Sequence, residues 1–358
     1  MNTDTVIRAR SPRPRRLQRR WIFALFIAIA GGAAAALCYV ETSDPPPEAG
    51  VPRVARWHHD ATAAISFTFD DGLQCHRDKA MPLLDAFGFK GTFFVIAGKM
   101  REHRADPPII EPRFKYGEAA LSWDEVKELH ADGQEIGDHS LGHNFLDQIT
   151  DKKQLEHEIN DSADLITAHL GTPPLDFAYP YNQYTPLAHD VVLQRHLAAR
   201  ERWTDYGGDG FTTEKANALV LTALENKAWL VPMIHGIDTG FAPVSSKVMR
   251  EHLAFVHQLE PQLWVDTYAE VVQYQQERRV ASLEVLESRP GELEFSLTCP
   301  PEVSRDNMPL TVIVPVATDA DDTIDARRDD RPLTFTRQEN RILLDVPPGN
   351  SPVCITWN

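Results

Sequence analysis

Cysteine is scarce in this chain, with four in 358 residues, and that scarcity excludes a small fold stapled by a disulfide framework. Cys38 falls in an apolar run and Cys75 just past an acidic pair. Cys299 and Cys354 lie in strand-like contexts that suit either a bridge or two buried thiols. Basic charge is scarce beyond the first twenty residues. The whole chain carries −16 and residues 1–20 carry +6, which leaves −22 for the remainder. So acidic a body excludes a nucleic-acid partner bound through its phosphates. Internal repeats and low-complexity tracts are also lacking, which excludes a repeat array.

What is present begins with a targeting element. Seven arginines between Arg8 and Arg20 precede an apolar stretch from Trp21 to Val40, whose 20 residues match one bilayer crossing. The pattern predicts a basic cytoplasmic segment over 1–20, a transmembrane anchor over 21–40 and a proline-rich linker over 41–56. The body then lies on the extracytoplasmic, periplasmic side, tethered to the membrane by its N-terminal helix. A cleaved signal peptide is the alternative, because the Ala33 to Ala36 tract offers small residues to a peptidase and would leave a secreted protein.

The body is long enough to bury a sizeable core. From Trp57, short β-like runs (Ala64 to Phe69, Gly91 to Ala97, Glu135 to Gly137, Leu175 to Tyr179, His196 to Arg200, Trp229 to Ile234) alternate with helical segments. The first helices are predicted over Asp78 to Phe87 and Trp123 to Ala131. Ser122 and Glu125 form a capping box for the second. Asp151 to Leu170, a helix opened by Thr185 and Pro186, and Ser245 to Leu259 follow. About seven strand–helix units predict an α/β fold, a distorted (β/α)7-type barrel over 57–280, although periodicity alone also permits an open sheet. From Ser282 only strand-like runs remain, so 281–358 is predicted to be a small all-β, sandwich-like domain.

Chemistry concentrates at strand ends. Asp70 and Asp71 follow Phe69 and precede Gly72, which permits a sharp turn. His139 and His143 follow the Glu135 to Gly137 run, and a helical turn between them would place both rings on one side. Spacing alone is weak: with 14 histidines in 358 residues, chance supplies about half of one such pair. Placement strengthens it, because α/β folds bind ligands at the carboxyl ends of strands. Two histidines and one aspartate leave open positions on an ion, as a catalytic metal needs, and zinc is the first choice. One carboxylate can ligate while the other stays free beside the water.

At these residues the chain resembles the metal-dependent polysaccharide deacetylases, a family of chitin and peptidoglycan N-deacetylases. Thr68-Phe69-Asp70-Asp71-Gly72 is similar to the first family motif and His139-Ser140-Leu141-Gly142-His143 to the second. Phe177-Ala178-Tyr179-Pro180-Tyr181 resembles the third, Ala199-Arg200 the fourth and Met233-Ile234-His235 the fifth. The resemblance implies that Asp71, His139 and His143 ligate a divalent metal and that Asp70 is the general base. It implies that Arg200 pairs with Asp70, that His235 protonates the leaving amine, and that the Tyr181 N–H stabilises the oxyanion. The implied activity removes N-acetyl groups from amino sugars of a polysaccharide or oligosaccharide. Ala178 and Tyr179 replace a usual arginine and Asn182 a usual glycine, differences that bear on substrate.

Blander readings accompany each feature. An acid pair after a strand can simply cap a helix, Arg200 can be a surface ion pair, and His58-His59 reads as linker. A fourth ligand at Cys75 would close the site. Trp123, Trp203, Tyr206 and Trp264 suit core positions or sugar platforms. Competing functions are a deformylase or other sugar deacylase, an inactive glycan-binding envelope protein, and a non-haem iron oxygenase, which shares the two-His, one-carboxylate ligand set. Asp70 argues against the last, since hydrolysis needs a base beside the ligand.

Overall fold

The structure, a computed structural model, describes residues 51–109, 118–301, 303, 308–316, 324–338 and 340–357. The predicted anchor at 21–40, the basic segment and residues 41–50 of the linker lie outside the described residues. Among the described residues no helix is long and apolar enough to cross a membrane.

Seven parallel strands form the main sheet, in the order Ala198–Arg200, Asp176–Ala178, Glu135–Asp138, Thr92–Val95, Thr68–Phe69, Pro232–Ile234 and Thr204–Asp205. Its two edge strands are consecutive in the chain yet unpaired with each other, so the sheet curls into a barrel that stays open at that seam. Below it, Leu263–Val265, Ala63–Ile65 and Trp229–Leu230 form a second parallel patch. The expected (β/α)7-type barrel is what the chain builds. Two of its strands, Thr204–Asp205 and Leu263–Val265, are too short to stand out as periodic runs.

Local chemistry accounts for the helices. Ser122 Oγ accepts from the Glu125 N–H while Glu125 accepts from the Ser122 N–H, the predicted capping box of Trp123–Ala131. Asp151 caps Lys152–Leu170, which stops at Gly171 in the left-handed region, φ 79°. The helix expected from Asp78 instead starts at His76 as a π turn, His76–Ala80, before Met81–Asp85. Pro82 has no N–H to donate, and the turn before it widens accordingly.

Phe67, Phe69, Phe93 and Leu84 anchor the barrel core, with the Phe69 and Phe93 rings stacked 4.7 Å apart. Trp123, Tyr206 and Trp264 are buried as well, so three of the four aromatic residues that could have been sugar platforms belong to the interior.

From Ser282 the only regular elements among the described residues are strands. A five-stranded antiparallel sheet (Ser282–Arg289, Glu292–Thr298, Gly349–Thr356, Asp325–Arg328, Arg331–Pro332) faces a four-stranded one (Arg53–Val54, Leu310–Pro315, Arg341–Val346, Phe335–Gln338). Glu292–Thr298 alternates half-buried and buried residues along its whole length, as a sandwich strand must. Arg53–Val54, read from sequence as linker, is an edge strand of this sandwich. His58 and His59, also read as linker, lie in a short 3₁₀ turn, His58–Asp60, that packs on the sandwich. Phe295, Val312, Leu344 and Ile355 share one core with Trp57, Trp264 and Tyr274, so the sandwich and the barrel are packed together. Cys354 is exposed with a free thiol, and Cys299 Sγ approaches the Glu277 carbonyl at 3.9 Å. The pair is not bridged.

One buried histidine gives the fold a pH dependence. His252 donates through Nδ1 to Asn217 Oδ1 at 2.8 Å, and burial pushes its imidazole down to about 4. An unfolded imidazole titrates near 6.5. Between those values the unfolded chain binds more protons, so stability falls as pH drops from about 6.5 to about 4 and is unaffected above that window. The difference amounts to about 3 kcal/mol. In thermal melts from pH 7 to pH 4.5, His252→Gln is expected to lose less stability than the unaltered chain. Parallel curves would contradict this.

Candidate active site

Every sequence-predicted site residue sits at the carboxyl end of a barrel strand. Asp70 and Asp71 follow Thr68–Phe69, His139 follows Glu135–Asp138, Tyr181 lies beyond Asp176–Ala178, Arg200 ends Ala198–Arg200, and His235 follows Pro232–Ile234. Strand register brings them to one level: Phe69 is paired with Ile234 and with Phe93, and Ala178 with Arg200.

The acid pair splits because the chain turns between its members. The Asp70 N–H still donates to the Ile234 carbonyl as a strand residue, whereas Asp71 has φ 80° and Gly72 φ 62°. At Gly72 the left-handed conformation favours glycine, and an added Cβ would also press on the flexible end of Met100 at 2.9 Å. Asp71 therefore faces the histidines and Asp70 faces Arg200.

His139 and His143 do not share a helical turn. Ser140 (φ 67°) and His143 (φ 57°) are left-handed, and the segment is a loop whose folding back brings the rings to a T-shaped contact at 4.8 Å. Buried side chains hold this loop. Ser140 Oγ accepts from the His143 N–H at 2.9 Å, and Glu158 accepts from Gly142 N–H at 3.0 Å and from Asn144 Nδ2 at 2.7 Å. Asp138 accepts from Ser140 N–H at 2.9 Å and Ser162 Oγ at 2.6 Å, and His196 Nε2 lies 3.1 Å away.

Glu158 and Asp138 are positioning residues that the sequence reading passed over. For Glu158 a signal exists: it lies on the helical stripe marked by Leu155, Ile159, Ser162 and Ile166, where a charge is out of place unless it has buried work. Outer groups that orient ligands typically cost 10–100-fold in metal affinity when removed. Glu158→Gln is therefore expected to weaken cation binding by about that factor while retaining the fold, as read by titration calorimetry with zinc. Unchanged affinity would remove Glu158 from the site.

The three donors converge. His139 Nε2 lies 3.6 Å and His143 Nε2 3.4 Å from Asp71 Oδ1. His139 Nδ1 is 2.7 Å from the Ala178 carbonyl oxygen, which can only accept, so Nδ1 carries the hydrogen and Nε2 points a lone pair at a carboxylate. With that ring neutral, two acceptors face one another there, an arrangement that a proton or a metal cation between them satisfies. Tetrahedral zinc with bonds of about 2.1 Å sets its ligands about 3.4 Å apart, so the spacing and the donor types both fit. Burial alone would lower His139, but the Asp71 and Asp70 carboxylates override it and raise the imidazole. Asp71 is the converse: burial would raise it, and the imidazoles hold it below its ordinary value. Cys75 is no ligand, since its buried sulfur accepts from the Ile237 N–H at 3.5 Å and its thiol is pushed up to about 12.

Arg200 is no surface residue. Its side chain is fully buried and grips Asp70 with both terminal nitrogens, at 2.6 and 2.5 Å, with a further bond to Thr68 Oγ1 at 2.8 Å. Burial would raise Asp70, yet this fork overrides it and holds the carboxyl well below the usual carboxylate range. Phe94 supports the guanidinium from 5.0 Å, and Gly137 leaves room for that ring, since a Cβ there would meet it at 2.4 Å.

Beside this pair, the His235 carbonyl accepts from His76 Nε2 at 2.5 Å. His76 Nδ1 in turn accepts from the Leu73 N–H, so buried His76 is a neutral strut, pushed down to about 4 by desolvation. Exposed aromatics surround the mouth of the site. Tyr181 stacks on Phe145 at 3.8 Å and meets the His143 ring at 4.6 Å, and Phe241 meets His235 at 5.1 Å. Phe145 and Phe241 were not legible as rim residues, because they lie on loops without period. Tyr181 (φ 58°) and Asn182 (φ 55°) form a left-handed pair, and asparagine is among the residues that tolerate this region where glycine is more usual.

The polysaccharide deacetylase family model matches residues 59–198. A gellan lyase from a Bacillus species is 25% identical over 342 residues, a stretch that covers 84% of this chain and 13% of the lyase. The chain thus spans a small part of that relative. Among solved structures, a family 4 acetyl xylan esterase from Clostridium thermocellum, in complex with a cobalt ion, is 17% identical with a TM-score of 0.43. That match covers 58% of this chain and 89% of the esterase. A peptidoglycan deacetylase from Bacillus subtilis is likewise 17% identical with a TM-score of 0.41, over 62% of this chain and 96% of that one. The matched segment carries Asp70, Asp71, His139, His143 and Tyr181, and over residues 59–198 the chain is similar to the polysaccharide deacetylase family.

Proposed function

We infer that this protein hydrolyses N-acetyl groups from amino sugars of an extracytoplasmic polysaccharide or oligosaccharide, using a divalent cation, zinc first, held by Asp71, His139 and His143. The observation that carries this reading is the convergence of His139 Nε2, His143 Nε2 and Asp71 Oδ1 beside the separate, buried Asp70–Arg200 pair. One carboxylate belongs to the ion and the other is left for the water. The arginine-rich start and the 20 apolar residues after it support the extracytoplasmic placement.

A bound divalent cation supplies Lewis-acid polarisation of the acyl carbonyl and acidifies water. Asp70 takes the proton of the attacking water, and Arg200 keeps that carboxylate ionised and aimed. The Tyr181 N–H donates to the oxygen on which negative charge develops, where a fixed dipole acts without reorganising. His235, level with Asp70 across the strand pair, gives its proton to the departing nitrogen. The exposed rings of Tyr181, Phe145 and Phe241 offer apolar faces to the flat sides of pyranose rings.

Acetate release tests the reading. The full chain, loaded with zinc, is given N-acetylglucosamine oligomers and peptidoglycan, with and without chelator. Acetate that appears and is abolished by chelation supports it. No acetate from any acetylated amino sugar by zinc-loaded protein would overturn it in favour of a deformylase or another deacylase.

A further inference from the structure

A second convergence of donors lies where the start of the barrel meets the sandwich. His58 and His59 open the His58–Asp60 turn, and Asp345 stands on the sandwich strand Arg341–Val346. His58 Nε2 is 3.3 Å from Asp345 Oδ1, and His59 Nδ1 is 3.3 Å from Asp345 Oδ2. One donor atom from each of the three residues lies within 4.8 Å of the other two.

Adjacent side chains ordinarily point apart on an extended chain. Here His59 (φ 56°, ψ 23°) and Asp60 (φ 55°) are both left-handed, and the fold-back sets the two imidazoles face to face at 3.9 Å, tilted by 33°. His58 Nε2 is buried and has no hydrogen-bond partner among the described residues. Its 3.3 Å separation from the carboxylate is longer than an N–H···O bond, at about 2.7–3.2 Å. It matches the spacing of about 3.4 Å between ligands of a tetrahedral zinc ion, and it is close to the 3.6 and 3.4 Å found between the same donor types in the barrel site.

The carboxylate is also held as metal-ligating carboxylates are. Asp345 Oδ1 accepts from buried Thr311 Oγ1 at 2.5 Å, and that hydroxyl accepts from the His59 N–H at 2.9 Å, which ties ligand to ligand. The nearby cations are engaged elsewhere: Arg341 lies 2.7 Å and Arg53 3.8 Å from Asp60. Asp345 therefore has imidazoles for its partners. His59 is two-thirds exposed, so water can complete the coordination.

We propose that His58, His59 and Asp345 hold a second divalent cation of the zinc class, which fastens the first turn of the barrel to the sandwich. Metal stoichiometry by mass spectrometry tests this independently of any acyl-transfer activity. The full chain, dialysed against zinc and then against metal-free buffer, is expected to retain one equivalent more than either His59→Ala or Asp345→Asn. His59 is exposed and asparagine keeps the shape of Asp345, so neither change unseats the fold, and acetate release and the melting profile of the zinc-free chains check that. The extra equivalent should also raise the melting temperature of the unaltered chain when zinc is added, and should not do so through this site in the variants. If all three chains retain the same number of equivalents, the cluster is a hydrogen-bonding cluster only and the proposal fails. That outcome leaves the deacetylase reading untouched, as failure of acetate release would leave this one.

Discussion

Asp70→Asn is expected to lower the rate of deacylation by about 10²–10⁴-fold, the usual contribution of a positioned general base. The donor set His139, His143 and Asp71 should remain whole. Asparagine keeps the shape of the side chain and can still accept from Arg200 through one oxygen, but it cannot take a proton. Steady-state acetate release, paired with a zinc titration of both proteins, separates the two effects: the rate falls and the cation is retained. Full activity in the variant would remove Asp70 from the chemistry. Because Arg200 holds Asp70 well below the usual carboxylate range, an acid limb in the wild-type rate profile near neutral pH belongs to another group.

Arg200→Met is expected to destabilise the fold by about 3–5 kcal/mol, the cost of leaving one member of a buried pair uncompensated. The sign of its pH dependence follows from Asp70. In the wild type the folded carboxyl is depressed, so its stabilisation is complete above the unfolded value of about 3.9 and is lost only below it. Without the guanidinium, burial, the largest influence on Asp70, raises the carboxyl instead. Stability then falls as pH rises through the raised value. Melting temperatures of the variant should therefore decline as pH rises above about 4, where the wild-type contribution of this pair is flat. A loss independent of pH would mean that Arg200 acts by packing on Phe94 rather than by charge.

Much of this arrangement was legible in the residues. Strand-end placement of Asp70, Asp71, His139, Arg200 and His235 follows from short apolar runs broken by polar ones, because a parallel sheet buried on both faces leaves few other ways to write a strand. The Trp123–Ala131 helix was legible because its capping box is local chemistry. The sandwich was legible in the alternation of Glu292–Thr298.

What escaped depends on contacts between distant segments. A helical turn was the natural reading of two histidines four apart, yet Glu158 and Asp138 fix a left-handed loop there. No local pattern announces a backbone held by a carboxylate from the next helix. Arg200 looked equivocal for the same reason, since its meaning lies in a partner 130 residues away. His58 and His59 resembled linker because the group they face, Asp345, arrives with the last strands of the sandwich.

Anomalous scattering at the zinc edge, from a crystal of the full chain grown with zinc, tests the central claim most directly. The account predicts a peak bounded by His139 Nε2, His143 Nε2 and Asp71 Oδ1, with Asp70 outside the coordination sphere and still gripped by Arg200. Absence of a peak between those three donors, or a peak ligated by Asp70 in place of Asp71, would contradict it.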